Sequence, residues 1–141
     1  MVINSKEICR FLLDDLKIIT GKEKSKKITI PKELISDWNL TRAVIRGIFD
    51  TDGTVFAAKK PGIDNYPSIE LTTISINLAE QVRTILNEKG FRVSNIWSFI
   101  QKSNNLGYRF SLHGKENIRK WVQLIGFSNP YKLERAMSYI K

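Results

Sequence analysis

A chain of 141 residues is one domain by size, or two small lobes at most, and 42% hydrophobic content lets it bury a core, which excludes a disordered chain. Its longest apolar runs fall well short of the ~18 residues of a bilayer span, no signal-peptide pattern opens it, and the lone Cys9 excludes an internal disulfide or a Cys/His zinc site. A net charge of +9 and a pI near 9.8 make nucleic acid the first partner to consider, ahead of plain solubility or acidic lipids.

The charge is uneven. Residues 1–50 carry a net +3, residues 51–91 a net −1 and residues 92–141 a net +7, so the basic surface belongs to the C-terminal third. The expected setting is cytoplasmic, or at least intracellular and reducing, with no membrane association.

Apolar residues at Ile8, Phe11, Leu12, Leu16 and Ile19 have helical spacing, with Ser5 as N-cap. A lysine-rich loop follows, then a short extended "ITIP", because Pro31 biases Ile30 away from helix. "KELISDWNL" reads as a short helix around Leu34, Ile35 and Trp38, and Thr41 as the cap of the next helix, which runs into "VIRGIFDTDGTVF". After Gly53 the period changes: "TVFAAKK" and "PSIELTTIS" read as strands joined by the turn "PGIDNY". "NLAEQVRTILNEKG" is an amphipathic helix with Leu78, Val82, Ile85 and Leu86 on one face and Gly90 as its stop. "RVSNIWSFIQK" and "GYRFSLHG" form a second strand pair across "SNNLG", and "KENIRKWVQLIG" is a helix striped by Ile118, Trp121, Val122 and Ile125. Pro130 interrupts before a terminal helix over "YKLERAMSYIK".

This order predicts an α+β fold, an αββαββα unit with an antiparallel twisted sheet and helices on one face. Residues 1–40 form a helical lead-in and residues 41–141 the main domain. In the last strand Tyr108, Phe110 and Leu112 belong against the helices, while Arg109, Ser111 and His113 point outward. A twisted ribbon with such an outer face suits a DNA major groove; an ordinary solvated face is the plain alternative. His113 reads as a DNA or solvent contact, with nothing beside it to orient it as a base. Trp38, Trp97 and Trp121 read as core aromatics, Trp97 with the sheet surface as its alternative.

Asp50 and Asp52 are oddly placed. At a helix C-terminus the carbonyls already make the field negative, and an acid there costs a few tenths to about 1 kcal/mol. A calcium EF-hand fails on register: with Asp50 at position 1 the glutamate position falls on Pro61, and with Gly53 at position 6 it falls on Lys59. Nor do the two acids form a dyad, since residues two apart do not face one another on a helix.

The whole phrase "IRGIFDTDG", Ile45 to Gly53, resembles the nine-residue signature of the LAGLIDADG homing endonucleases. The strand pairs, "LAEQVRTILNEKGF" and "IGFSNPYKLERAM" follow the order and spacing of that family's unit. The lead-in is more loosely similar to the segment before the second motif of two-motif, intein-type members. The resemblance implies a sequence-specific endonuclease that cuts double-stranded DNA using Mg²⁺. It implies that helices bearing Gly47 and Thr51 pack as a pair in a homodimer, with Asp52 as catalytic acid and metal ligand. The carbonyl of Gly53 helps hold the metal, and Lys132 stabilises charge or positions water near the scissile phosphate. Asp50 then supports the turn or the metal shell indirectly, and Arg46 points away from the helix pair.

A polar residue after the second strand positions water in that family; here Thr73, Ser75 and Asn77 are the candidates. Lys59, Lys60, Arg92, Asn95, Lys102 and Arg109 are the candidate DNA contacts. Rival readings are one lobe of a two-motif protein, a DNA- or RNA-binding module that does not cleave, resembling maturases or LAGLIDADG-type regulators, and an unrelated basic protein.

Overall fold

The structure, a computed structural model, describes residues 29–140, apart from the side chains of residues 63–65. The expected first helix and the lysine-rich loop lie outside the described residues, as does Cys9.

"KEL" closes only a single 3₁₀ turn, Lys32–Leu34, and the short helix expected around it does not form. Trp38 instead opens the long helix α1, Trp38–Asp52. Thr41, expected as a cap, lies inside α1 and is buried; its hydroxyl donates to the carbonyls of Leu34 (3.1 Å) and Asp37 (2.9 Å). The hydroxyl thus ties the preceding turn to the helix flank. Upstream, Gln81 treats Ile30 as a strand neighbour would: it accepts from the Ile30 amide (2.7 Å) and donates to its carbonyl (3.0 Å).

Strand β1, Gly53–Lys60, starts at the residue after α1, and β2, Ile63–Thr73, returns antiparallel. The turn between them is tighter than expected. Pro61 and Gly62 make it alone, with Gly62 at φ +81°, so "IDNY" belongs to β2. Helix α2, Ile76–Glu88, is capped by Ser75, whose hydroxyl accepts from the Leu78 amide at 3.1 Å. The second ribbon is β3, Trp97–Ile100, and β4, Leu106–His113. Helices α3, Lys115–Leu124, and α4, Pro130–Tyr139, close the fold. Pro130 occupies the first turn of α4, where no amide partner is needed, behind the N-cap Asn129.

The sheet is fully antiparallel, in the order β1-β2-β4-β3. One face carries Val55, Ile69, Leu71, Phe110 and Leu112, all buried against Ile45, Phe49, Val82, Leu86, Ile118 and Trp121 of the helices. Each such side chain contributes about 1.5–3 kcal/mol on burial. Trp121 sits at the middle, its ring 4.5 Å from that of Phe49 and its indole N–H donating to the Gly126 carbonyl at 3.0 Å. Among the described residues no helix packs on the opposite face, and the predicted α+β fold holds.

Candidate active site and nucleic-acid interface

The acidic end of α1 is joined directly to the sheet. Gly53 has an extended backbone (φ −87°, ψ 157°), so its role is not a left-handed turn. A Cβ there would lie 2.7 Å from the Phe49 carbonyl oxygen and 2.9 Å from the Phe49 Cα, a collision with backbone that cannot yield cheaply. Glycine is therefore required by close approach: β1 leaves the helix folded back over its last turn.

The two carboxylates diverge, as their spacing requires. Asp50 turns to the connection between α3 and α4, where Oδ1 accepts from the amides of Ser128 (3.0 Å) and Asn129 (3.1 Å). Asp52 is exposed at the tip. Crowding by the surrounding protein nonetheless pushes its carboxyl above the ordinary 3.8, and the charge of Lys132 pulls it partly back. Thr51 is exposed, its hydroxyl donating to the carbonyls of Gly47 (3.1 Å) and Ile48 (3.0 Å), while Gly47 is buried.

Lys132 reaches this tip from α4. Its ammonium donates to the carbonyls of Asp50 (2.7 Å) and Phe49 (3.0 Å) in the last turn of α1, the Phe49 carbonyl also accepting from the Gly53 amide. Burial lowers its pKa from 10.5, and the charges of Asp50 and Asp52 oppose that shift. The Nε of Arg46 donates to the Ile125 carbonyl at 2.6 Å.

A hard divalent cation takes oxygen ligands. At this tip the chain offers the Asp52 carboxylate, because Asp50 is engaged with amides and the carbonyls of Phe49 and Asp50 with Lys132. Among the described residues no three acidic, histidine or cysteine side chains gather into a metal-holding group. One carboxylate is compatible with a hard cation, but a site would need further oxygens beside it.

Of the three polar residues after β2, two are engaged with backbone: Thr73 accepts from the Ser75 amide (3.1 Å), and Ser75 is the buried cap of α2. Asn77 is exposed on the first turn of α2.

The sheet face turned away from the described helices holds a polar and aromatic layer. Arg109 lies with its guanidinium carbon 3.9 Å from the Phe99 ring centre and 4.5 Å from that of Trp97, and Glu70 faces it at 3.7 Å. Its Nε is buried and has no hydrogen-bond partner among the described residues. Trp97 takes the sheet-surface position that was the alternative to a core one: it is 52% exposed on this face, opposite Arg109. His113 is held by more than sequence indicated: Nδ1 is hydrogen-bonded to the Ser68 hydroxyl, and the ring stacks on Tyr66 at 5.7 Å. Burial lowers its pKa, with Glu70 opposing and Lys60 adding to the shift. Outward positions Ser68, Glu70 and Thr72 follow from the alternation of "PSIELTT", a signal available in the sequence but read there only for β4.

The other basic candidates are spread over the two ends of the sheet. Lys59 and Lys60 are exposed beside the β1–β2 turn, Lys60 lying 4.5 Å over the Tyr66 ring. Arg92 and Asn95 are exposed on the segment before β3, at the same end as His113. There an open cleft of about 630 Å³ is lined by Tyr66, Arg92, His113, Lys115 and Lys120. Lys102 is exposed in the β3–β4 turn, at the end nearer Asp52.

The profile of the LAGLIDADG-like domain matches residues 39–126, which runs from the first turn of α1 past the end of α3. The chain belongs to the LAGLIDADG family. The LAGLIDADG chain is also similar to a replication factor C small subunit of Methanocaldococcus jannaschii, 33% identical over 140 residues. That alignment covers 99% of this chain and 7% of the relative. A replication factor C small subunit of Thermococcus kodakarensis is 30% identical over 118 residues, covering 84% of this chain and 12% of the relative. An uncharacterized protein of M. jannaschii is 31% identical over 102 residues, covering 69% of this chain and 36% of that protein. The LAGLIDADG chain thus spans a minor part of the curated relatives it matches. Among the described residues no helix is long and apolar enough to cross a membrane.

Proposed function

We propose that this protein is a sequence-specific endonuclease that cuts double-stranded DNA, with two copies of the chain each contributing one acid. The observation that carries the reading is the tip of α1. An exposed carboxylate, Asp52, stands alone at a helix C-terminus with the ammonium of Lys132 on the neighbouring carbonyls. Hydrolysing two strands takes two such tips, and this chain has one signature. Two carboxylates brought together are mutually repulsive unless a dication lies between them, and that requirement gives the misplaced charge a purpose.

Mg²⁺ is the proposed cofactor: Asp52 and the Gly53 carbonyl, with their counterparts in the second copy, would hold it, and it would supply water activation and charge stabilisation at the leaving oxygen. Lys132 presents positive charge beside the phosphate, and Gly47 and Thr51 line the proposed helix pairing. The sheet face turned away from the described helices is the proposed reading surface. Trp97, Phe99 and Arg109 form a stacked platform, His113 and Ser68 lie along the same face, and Lys59, Lys60, Arg92, Asn95 and Lys102 lie at its ends. Phosphate-contacting lysines there set the salt dependence, and side chains reaching base edges set the sequence.

A second reading shares the fold and the chemistry but not the homodimer. The alignment to the M. jannaschii relative includes the lead-in and spans only 7% of that protein, as a domain inserted in an intein would. In that reading this chain corresponds to one lobe, and the other acid comes from a second motif.

Incubation with a plasmid library and Mg²⁺ tests the activity. Cutting by the wild type and retained binding without cutting by Asp52→Asn are expected. Binding without cutting by both would favour a non-cleaving module. Sedimentation at DNA-binding concentrations separates the two assemblies, a strict monomer ruling out the homodimer.

A further inference from the structure

Two polar side chains of α1 staple it to the connection between α3 and α4. Arg46 and Asp50, four residues apart on one helical face, carry opposite charges to opposite ends of that connection. Arg46 donates to the Ile125 carbonyl, at the negative end of α3. Asp50 accepts from the Ser128 and Asn129 amides, at the positive end of α4. Each charge thus meets the helix dipole end that stabilises it.

The bonds continue into a ring. Asn129, fixed at its amide by Asp50, caps α4 by accepting from the amides of Tyr131 (3.0 Å) and Lys132 (3.2 Å). One turn into α4 the Lys132 ammonium returns to the carbonyls of Phe49 and Asp50. Asp50 therefore stands at both ends of the circuit, its carboxylate holding the loop and its carbonyl receiving the lysine. Sequence separation of 78 residues hid this.

We propose that Asp50 is a positioning residue for the cleavage reaction, acting through the Ser128–Asn129 backbone to hold Lys132 across the tip of α1 beside Asp52. The proposal rests on the endonuclease reading for its consequence, though not for its geometry. It also accounts for the first acid of "DTD": its oxygens face protein amides, so it serves the site without being offered to a cation.

Two measurements on the intact chain test it. The first is ¹⁵N NMR of the Lys132 ammonium in wild type, Asp50→Asn and Asp50→Ala, with thermal melts to show that each variant is folded. Asparagine keeps the shape and one acceptor oxygen but removes the charge, so it remains informative where alanine unfolds. Hydrogen exchange of the ammonium is expected to accelerate at least about tenfold in the folded variants; an unchanged rate overturns the proposal. The second is single-turnover cleavage of the DNA that the wild type cuts, at saturating protein. Asp50→Asn is expected to slow cleavage on the order of a hundredfold with DNA affinity unchanged. Asp50→Asn combined with Lys132→Met is expected to be no slower than Lys132→Met alone. Multiplying losses would show that Asp50 acts independently of Lys132 and would sink the idea. If the wild type cuts no DNA, the endonuclease reading alone falls, and the NMR result still decides whether Asp50 positions the lysine.

Discussion

Helix α2 ends with Gly90 at φ +89°, the amides of Lys89, Gly90 and Phe91 returning to carbonyls of the last turn, and Lys120 covering the Gly90 carbonyl at 2.9 Å. Helix α1 ends on Asp50, Thr51 and Asp52, followed by a glycine in extended conformation that folds the chain back onto Phe49. The first end uses glycine and lysine as helix termini ordinarily do. The second sets an acid where the dipole disfavours it and imports Lys132 from another helix to satisfy its carbonyls. α2 thus stops in a turn that satisfies its own carbonyls, whereas α1 stops with a carboxylate exposed at its tip.

Substitutions at the two ends should bring out this difference. The largest effect is expected from Asp52→Asn, which should abolish cleavage by about a thousandfold or more, about 4 kcal/mol or more of transition-state stabilisation, with DNA binding retained. The same change should stabilise the free protein at neutral pH. The folded carboxyl titrates above 3.8, so ionisation opposes folding, and the penalty grows as pH rises from 3.8 through the folded value. Melting curves should place Asp52→Asn above wild type at pH 7, with the difference vanishing below pH 3.8. No substitution at the end of α2 should raise both stability and inactivity in this way.

Lys132→Met should slow single-turnover cleavage by about a hundredfold, about 3 kcal/mol. Gly53→Ala should destabilise by about 2–3 kcal/mol in urea titrations, because the methyl meets backbone. Gly90→Ala should cost about 1 kcal/mol, since the methyl meets mainly the movable end of Lys120 and the rest is backbone strain. Smallest of all, Ser75→Ala should cost about 1 kcal/mol or less by removing the cap of α2, with no change in cleavage per folded molecule.

The sequence made the order of elements legible because each announces itself locally. The stripe of Val82, Ile85 and Leu86, the alternation of Phe110 and Leu112, and Gly90 as a stop are visible within a few residues. The helix start was misplaced because Thr41 is a good cap by type, yet its hydroxyl binds the preceding turn instead. The β1–β2 turn was drawn too long because Asp and Asn favour turns, whereas pairing with β1 held "IDNY" in the strand. Only the resemblance singles out Asp52 and Lys132, and the structure sets the Lys132 ammonium on the last carbonyls of α1. The partners of Asp50, Arg46 and Arg109 were not legible, since each depends on chain segments far apart in sequence. His113 looked unoriented because Ser68 and Tyr66, 45 and 47 positions earlier, are its neighbours only after β2 pairs with β4.

The direct joint between α1 and β1 makes the fold a ruler. With no loop between Asp52 and Gly53, the distance from the acid to any outward position of β1 is fixed at about 3.3–3.4 Å per residue of strand. A single inserted residue at the joint would invert the strand, driving Thr54 and Phe56 toward the core and Val55 outward. A length change would therefore disturb the fold less at Pro61–Gly62 or in the β3–β4 turn, where the strands already turn back. In a cleaving enzyme this geometry would let the sequence being read drift, through substitutions on the outer rows of the sheet, while the offset between reading frame and cut stayed constant.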